Sequence, residues 1–177
     1  MQFLEHEVYR QLHDTLGFVT PDVVHFIKSS SGSDLVEELK SLDLQKKEIV
    51  LLPVNDCASL DSPGGCHWSL LVYCKRDRKF MHYDSCKGAN EKHAQCVAKA
   101  LSPVLNAEEM NVIPVECLQQ KNSYDCGVHV IHNIDSVCKG YVKENQANAR
   151  RAALGNDMGE NRRILKSLVL ELAKNNK

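Results

Sequence analysis

Leu4, Val8 and Leu12 recur four residues apart at the start of the chain, a spacing that lines one face of a helix. No residue ahead of Phe3 offers a capping side chain, so this helix reads as one entered partway along. Thr20, Pro21 and Asp22 then supply a capping residue, a first-turn proline and a first-turn acid ahead of Val23, Val24, Phe26 and Ile27, which marks a helix start. Lys28 to Asp34 reads as a Ser/Gly loop. Leu35 to Leu42 reads as a second amphipathic helix, begun by Ser31 with Asp34 three residues on. From Glu48 the period changes. Glu48 to Val54 is a continuous apolar run of the kind a buried strand carries, and a loop rich in Asp, Ser, Pro and Gly follows from Asn55 to Cys66. Trp68 to Cys74 and Phe80 to Ser85 are β-branched and aromatic segments around the charged tip Lys75 to Lys79, and predict a hairpin. Asn90 is expected to cap a helix bearing Ala94, Val97, Ala98 and Leu101. Val112 to Cys117 predicts a fourth strand, and Gly127 to Cys138 an apolar helix. Lys139 to Asn161 is polar and poorly patterned, and a last helix carries Ile164, Leu165, Leu168, Val169 and Leu172 on one face.

Helices lead and follow a short run of strands, so the pattern predicts an α+β class with a mixed sheet flanked by helices. A length of 177 residues suits a single domain with its own core. The chain is 43 % apolar and 25 % charged, which is the composition of a folded protein rather than a disordered or fibrous one. Its 22 Lys and Arg nearly balance 23 Asp and Glu. Such a balance creates no strong field toward nucleic acid or an anionic membrane, so neither is an expected partner. The opening MQFLEHEVYR has neither the basic nor the apolar region of a secretory signal, and apolar stretches such as Ile49 to Val54 fall far short of a bilayer span. The eight cysteines are scattered without close pairs, which points to free thiols in an intracellular protein of the cytoplasm or nucleus.

The hairpin brings two chemical groups together. If Cys74 and Asp77 close a tight turn, His67 faces Asp84 directly across the two strands. A longer tip shifts the register by two and leaves them diagonal neighbours. Either way the carboxylate can accept an imidazole N–H, fix the tautomer and support the protonated ring. A structural ion pair would use the same residues. His82 on the same strand is less favourably placed and is expected to pack. In the polar loop Gln119 to Asp125, Cys126 stands just before an apolar helix. A thiol at a helix N-terminus meets unpaired N–H groups and the positive end of the helix dipole, and an imidazolium partner would ready it for acyl chemistry. Gly127 spares a substrate carbonyl a crowding Cβ. Gln120 offers an amide donor that could stabilise an oxyanion beside the Cys126 N–H. Buried inert thiols suit Cys74, Cys96, Cys117 and Cys138 better. Cys126, His129 and His132 could share part of a helix face, but a structural zinc would want a fourth ligand and a close Cys pair, so no metal or cofactor is expected. The basic tip around Lys75, Arg76, Arg78 and Lys79 reads as a solvated turn.

Three stretches together carry a resemblance: His67-Trp68-Ser69-Leu70-Leu71-Val72-Tyr73, His82-Tyr83-Asp84-Ser85, and Gln120-x-Asn122-x-x-Asp125-Cys126-Gly127. In this order they resemble the signatures of the Ulp/SENP cysteine proteases, of papain-like fold in the Ulp/adenain form, which act on ubiquitin-like modifiers. Phe18-Val19-Thr20-Pro21-Asp22-Val23, Phe26-Ile27-Lys28, Val54-Asn55-Asp56 and the Leu172-Ala173-Lys174 tail extend the likeness toward the deneddylase, Nedd-type branch. The resemblance implies Cys126 as nucleophile, His67 as base, Asp84 as its orienting carboxylate and Gln120 as oxyanion donor. It makes Trp68 one wall of a tunnel for the modifier's Gly-Gly tail. It implies cleavage after that tail, in precursors and in conjugates with targets such as cullins, by a monomer without cofactors. Set against the family, the domain over 1–177 is expected to be N-terminally incomplete, lacking the opposite tunnel wall. A SUMO-specific protease, or a catalytically impaired modifier-binding protein, is the alternative.

Overall fold

The computed structural model describes residues 1–30, 33–58, 64–107, 111–144 and 157–175. One mixed sheet runs through them in chain order, β1 (Leu16–Phe18), β2 (Ile49–Asn55), β3 (Trp68–Cys74), β4 (Lys79–Tyr83) and β5 (Val112–Val115). β2, β3 and β4 are antiparallel, while β1 and β5 are added in parallel at the two edges. The sheet is covered on both faces, by α1 (Pro21–Ser29), α2 (Ser33–Glu38) and α3 (Glu91–Leu105) on one side and by α4 (Cys126–Glu144) and the N-terminal segment on the other. α5 (Met158–Asn175) packs against α4.

Strand alternation explains this layering. Leu71 and Tyr73 of β3 join Val50, Leu52 and Val54 of β2 in a core with Val24, Ile27, Val97 and Leu101. Leu70 and Val72, with Ile49 and Leu51, face Val130, Ile134 and Cys138 of α4. Both faces of β2 are therefore buried, as its unbroken apolar run requires. Cys126, Val130, Ile134 and Cys138 are spaced four apart along α4 and all are buried, so the first residue of α4 stands on the stripe that faces the sheet.

Several expectations take a different form. Leu4, Val8 and Leu12 are buried together, but on a π-type turn (Leu4–Val8) followed by a 3₁₀ turn (Arg10–Leu12). Buried Tyr9, whose hydroxyl donates to Asp135 Oδ1 of α4 at 2.7 Å, ties this segment down. The edge strand β1 was not expected, because three residues are too few for an alternation to register. α1 runs two residues further than predicted, through Lys28 to Ser29, and Ser31 lies outside the described residues. α4 continues to Glu144, into the stretch read as unpatterned. Cys74 and Cys138 are buried as expected, but Cys96 is exposed and Cys117 half-buried. On α5, Val169, Leu170 and Leu172 are exposed, and only Ile164, Leu165 and Leu168 of the predicted face are partly covered.

Candidate active site

The hairpin closes with Cys74 opposite Lys79 and Leu70 opposite Tyr83. This is the longer-tip register, and it makes His67 and Asp84 diagonal neighbours where β3 begins and β4 has ended. His67 Nε2 and Asp84 Oδ1 are 2.6 Å apart, with both side chains buried. A carboxylate can only accept from the ring, so Nε2 carries the proton and Nδ1 is the nitrogen left to receive one.

Asp84 is itself fixed by backbone donors. Its Oδ1 also accepts the Cys86 N–H at 2.9 Å, and its Oδ2 accepts the Asn90 N–H at 3.0 Å. Burial pushes the Asp84 carboxyl up, but the hydrogen bonds from His67, Asn90 and Cys86, with the His67 charge, outweigh it and hold the carboxyl below its ordinary value. Asn90 precedes α3 as expected, yet its side chain makes no capping bond there. Instead its amide donates to Val54 O and to Ser69 Oγ, both at 2.9 Å. Ser69 Oγ is also 2.8 Å from His82 Nε2. Burial, the largest influence on His82, holds its ring toward the neutral form, so His82 packs beneath the site, as expected.

The backbone of His67 is held as firmly as its ring. Asp56, just past β2, accepts the His67 N–H at 3.0 Å and the Cys66 N–H at 2.8 Å through Oδ1, and Asn55 Nδ2 donates to His67 O at 3.3 Å. Lys28 of α1 donates from Nζ to Asn55 O at 2.7 Å and to Cys57 O. Gly65 has φ +84°, and a Cβ there would lie 2.7 Å from Asp56 Oδ1 and collide with Asn55 Oδ1. Only glycine lets the chain turn into His67 at this point.

Cys126 opens α4 and is 6 % exposed. Asp125 O accepts the His129 N–H at 3.0 Å and so begins the helix. The preceding loop is shaped by its own polar residues. Asn122 Oδ1 accepts the N–H groups of Tyr124 and Asp125 at 3.1 and 3.0 Å, and its Nδ2 donates to Asp125 Oδ2 at 2.6 Å. Two glutamines pin this loop to the segment after Asp84. Gln119 Nε2 donates to Asp84 O at 2.9 Å, while Gln120 N–H donates to Ser85 O and Gln120 Oε1 accepts from Ser85 Oγ, both at 2.8 Å. Gln120 Nε2 gives one hydrogen to Asn122 O at 2.7 Å, which leaves its second for another acceptor. The Cys66 thiol is pushed up chiefly by its hydrogen bond to Asp56 and by that carboxylate's charge, and Cys126 adds to the effect. The thiol that opens α4 thus lies within electrostatic reach of the residue next to His67.

Trp68 is half-buried against the α4 side of the sheet, opposite Asn55 in register. A Cβ on Gly127 would meet no protein atom within 4 Å, so the fold does not itself demand glycine there. His129 and His132 are buried in α4, and among the described residues no cluster of His, Cys, Asp or Glu could hold a metal ion. Sequence reasoning named His67, Asp84, Gln120 and Cys126, but missed Asn55, Asp56, Gly65, Gln119 and the side-chain role of Asn90. All five act by holding backbone or neighbouring side chains, and only the Gly-Gly and Asn-Asp pairs in a loop hinted at them.

A family model described as "Ulp1 protease family, C-terminal catalytic domain" matches residues 20–176. The chain belongs to the Ulp1 protease family. This Ulp1-family chain is therefore a cysteine peptidase, and its relatives bear this out. It is 33 % identical to sentrin-specific protease 8 of Mus musculus over 99 % of its own length and 80 % of the relative's. It is 35 % identical to NEDD8-specific protease 1 of Arabidopsis thaliana over 72 % of its length and 58 % of the relative's. Its fold is that of the SUMO protease Ulp1 with its catalytic cysteine oxidised to a sulfenic acid, at a TM-score of 0.62 and 19 % identity, over 98 % of this chain and 74 % of that one. The expected α+β architecture of the Ulp type, a mixed sheet flanked by helices, is thereby established.

Proposed function

We propose that this Ulp1-family peptidase is a deneddylase that uses Cys126 as its nucleophile. The observation that carries the site is the 2.6 Å His67–Asp84 pair at the start of β3, the strand that packs against the helix opened by Cys126. The named relatives, sentrin-specific protease 8 and NEDD8-specific protease 1, support the choice of modifier.

On this reading Asp84 keeps the proton on His67 Nε2, and Nδ1 takes the Cys126 proton. The thiolate attacks the carbonyl carbon of the modifier's terminal glycine. The Cys126 N–H and the free Gln120 hydrogen receive the charge that develops on the oxygen, and each such donor contributes about 10²–10³ in rate. As the C–N bond breaks, His67 returns the proton to the departing amine, a lysine of a target such as a cullin or the tail of the precursor. His67 then takes a proton from water, which adds to the thioester and releases the modifier's carboxylate and the free thiol. Trp68 would wall the passage for the Gly-Gly tail, where a Cβ on the modifier would clash.

The test is covalent capture of a NEDD8 probe that carries an electrophile at its C-terminal Gly-Gly. The parent chain should be labelled, and Cys126→Ala should keep its circular dichroism spectrum and lose all labelling. Labelling retained by Cys126→Ala would place the nucleophile elsewhere, Cys66 first. Faster hydrolysis of a SUMO than of a NEDD8 fluorogenic amide would overturn the choice of modifier.

A further inference from the structure

Arg162 of helix α5 reaches the loop that leads into Cys126. Arg162 pairs its Nη2 with Asp125 Oδ1, donates from Nη2 to Tyr124 O at 3.4 Å, and holds its guanidinium carbon 4.9 Å from the centroid of the Tyr124 ring. Asp125 is only 8 % exposed, whereas Tyr124 is 67 % exposed. Asp125 immediately precedes Cys126, begins α4 with its carbonyl, and receives Asn122 on its other carboxylate oxygen. A carboxylate buried there without a cation would be unfavourable enough to turn outward and drag the loop with it.

We propose that Arg162 is a positioning residue, which holds Asp125 and Tyr124 so that Cys126 and Gln120 meet the scissile carbonyl together. The proposal rests on Cys126 as the nucleophile. Asn122 links the two halves of the machinery, because its side chain holds Asp125 while its carbonyl holds the Gln120 amide. Releasing Asp125 therefore loosens the oxyanion donor as well as the thiol. No catalytic atom touches Arg162, so its effect is on the geometry of reaction and not on capture of the modifier.

The experiment is steady-state hydrolysis of a NEDD8 C-terminal fluorogenic amide by the full chain, with rates expressed per folded molecule from thermal melts. Arg162→Gln should lower kcat about ten- to a hundredfold, the scale of a misplaced reacting group, with KM within about threefold of the parent. Arg162→Lys should recover part of that loss, since an ammonium can pair with Asp125 but cannot fork or stack. The pair Arg162→Gln/Asp125→Asn should lose clearly less than the product of the two single losses, because the two residues share a contact. A parental kcat in Arg162→Gln, a loss confined to KM, or multiplying losses in the pair would overturn the proposal. If Cys126→Ala hydrolyses as well as the parent, the nucleophile reading fails and takes this proposal with it. Failure of the proposal alone leaves Cys126→Ala inactive.

Discussion

Asp84→Asn separates the charge of the His67 partner from its geometry. In the native site Oδ1 satisfies two donors, His67 Nε2 and the Cys86 N–H, while Oδ2 satisfies only the Asn90 N–H. Asparagine has one acceptor oxygen. Seated at Oδ1 it keeps two hydrogen bonds, and seated at Oδ2 it keeps one, so its amide group is driven toward the Asn90 N–H. His67 therefore keeps its tautomer, and Nδ1 stays available. What disappears is charge assistance. A hydrogen bond to a charged group contributes about 1.5–3 kcal/mol and a neutral one about 0.5–1.5, so the loss is about 1–2 kcal/mol. That corresponds to a fall in kcat/KM of about five- to thirtyfold. The Asn90 N–H, facing a donor, costs about 1–3 kcal/mol of stability, a drop in Tm of about 2–12 °C. Hydrolysis of a NEDD8 fluorogenic amide, paired with calorimetry, measures both. A loss of a thousandfold or more would mean that the amide has turned the imidazole over, and activity within twofold would mean that the carboxylate's charge does nothing. Either result refutes the reasoning.

Gly65→Ala should lower kcat about ten- to a hundredfold through displacement of Asp56 and with it the His67 backbone; parental kinetics would show that the loop yields freely. Asn90→Ala strips donors from buried Val54 O and Ser69 Oγ and should cost about 1–3 kcal/mol in urea unfolding, whereas an unchanged midpoint would mean that water replaces the amide. Acid should destabilise the protein in two stages. Burial holds the His82 and His129 rings below 6.5, and hydrogen bonds hold Asp84 below 3.8. In each case the unfolded chain takes the proton first, so stability is full above the unfolded value and lost as pH falls toward the folded one. Urea midpoints should therefore decline from about pH 6.5 and again below about pH 4, and a midpoint that rises across the first interval would contradict this.

Much of the sheet was legible because its side chains obey a period. Trp68 to Cys74 alternates between two cores and Ile49 to Val54 is buried throughout, and each shows in the residue types. The hairpin register was legible only to within two residues, since it depends on the length of the turn and not on the strands. β1 escaped because its three residues are too few to show an alternation, although Leu16 is buried in the core. Cys96 was misjudged for a related reason: a cysteine on an amphipathic helix reads as apolar, and Val97 and Leu101 already occupy the buried face of α3. The reacting groups stood out because a polar loop ahead of an apolar helix, and a His and an Asp at the open end of a hairpin, are unusual placements.

The supporting groups did not stand out, and their placement shows why the site lies where it does. β2 and β3 stop pairing at Asn55 and Trp68, and β4 stops at Tyr83. Past those points the Asp56 N–H still reaches His67 O at 3.2 Å, but the N–H groups of Cys66, His67, Cys86 and Asn90 are taken by two carboxylates instead. Asp56 receives the N–H groups of Cys66 and His67, and Asp84 receives those of Cys86 and Asn90. Each acid thus replaces a missing stretch of ladder, which keeps the chain ordered after the sheet has ended. Asp84 alone has a lone pair left over that points at the imidazole, so the residue that terminates a strand is also the one that orients His67. A fold obliged to satisfy those donors already has a carboxylate fixed at the hairpin mouth. Chemistry there then requires only a histidine one register step away and a helix that begins with a thiol.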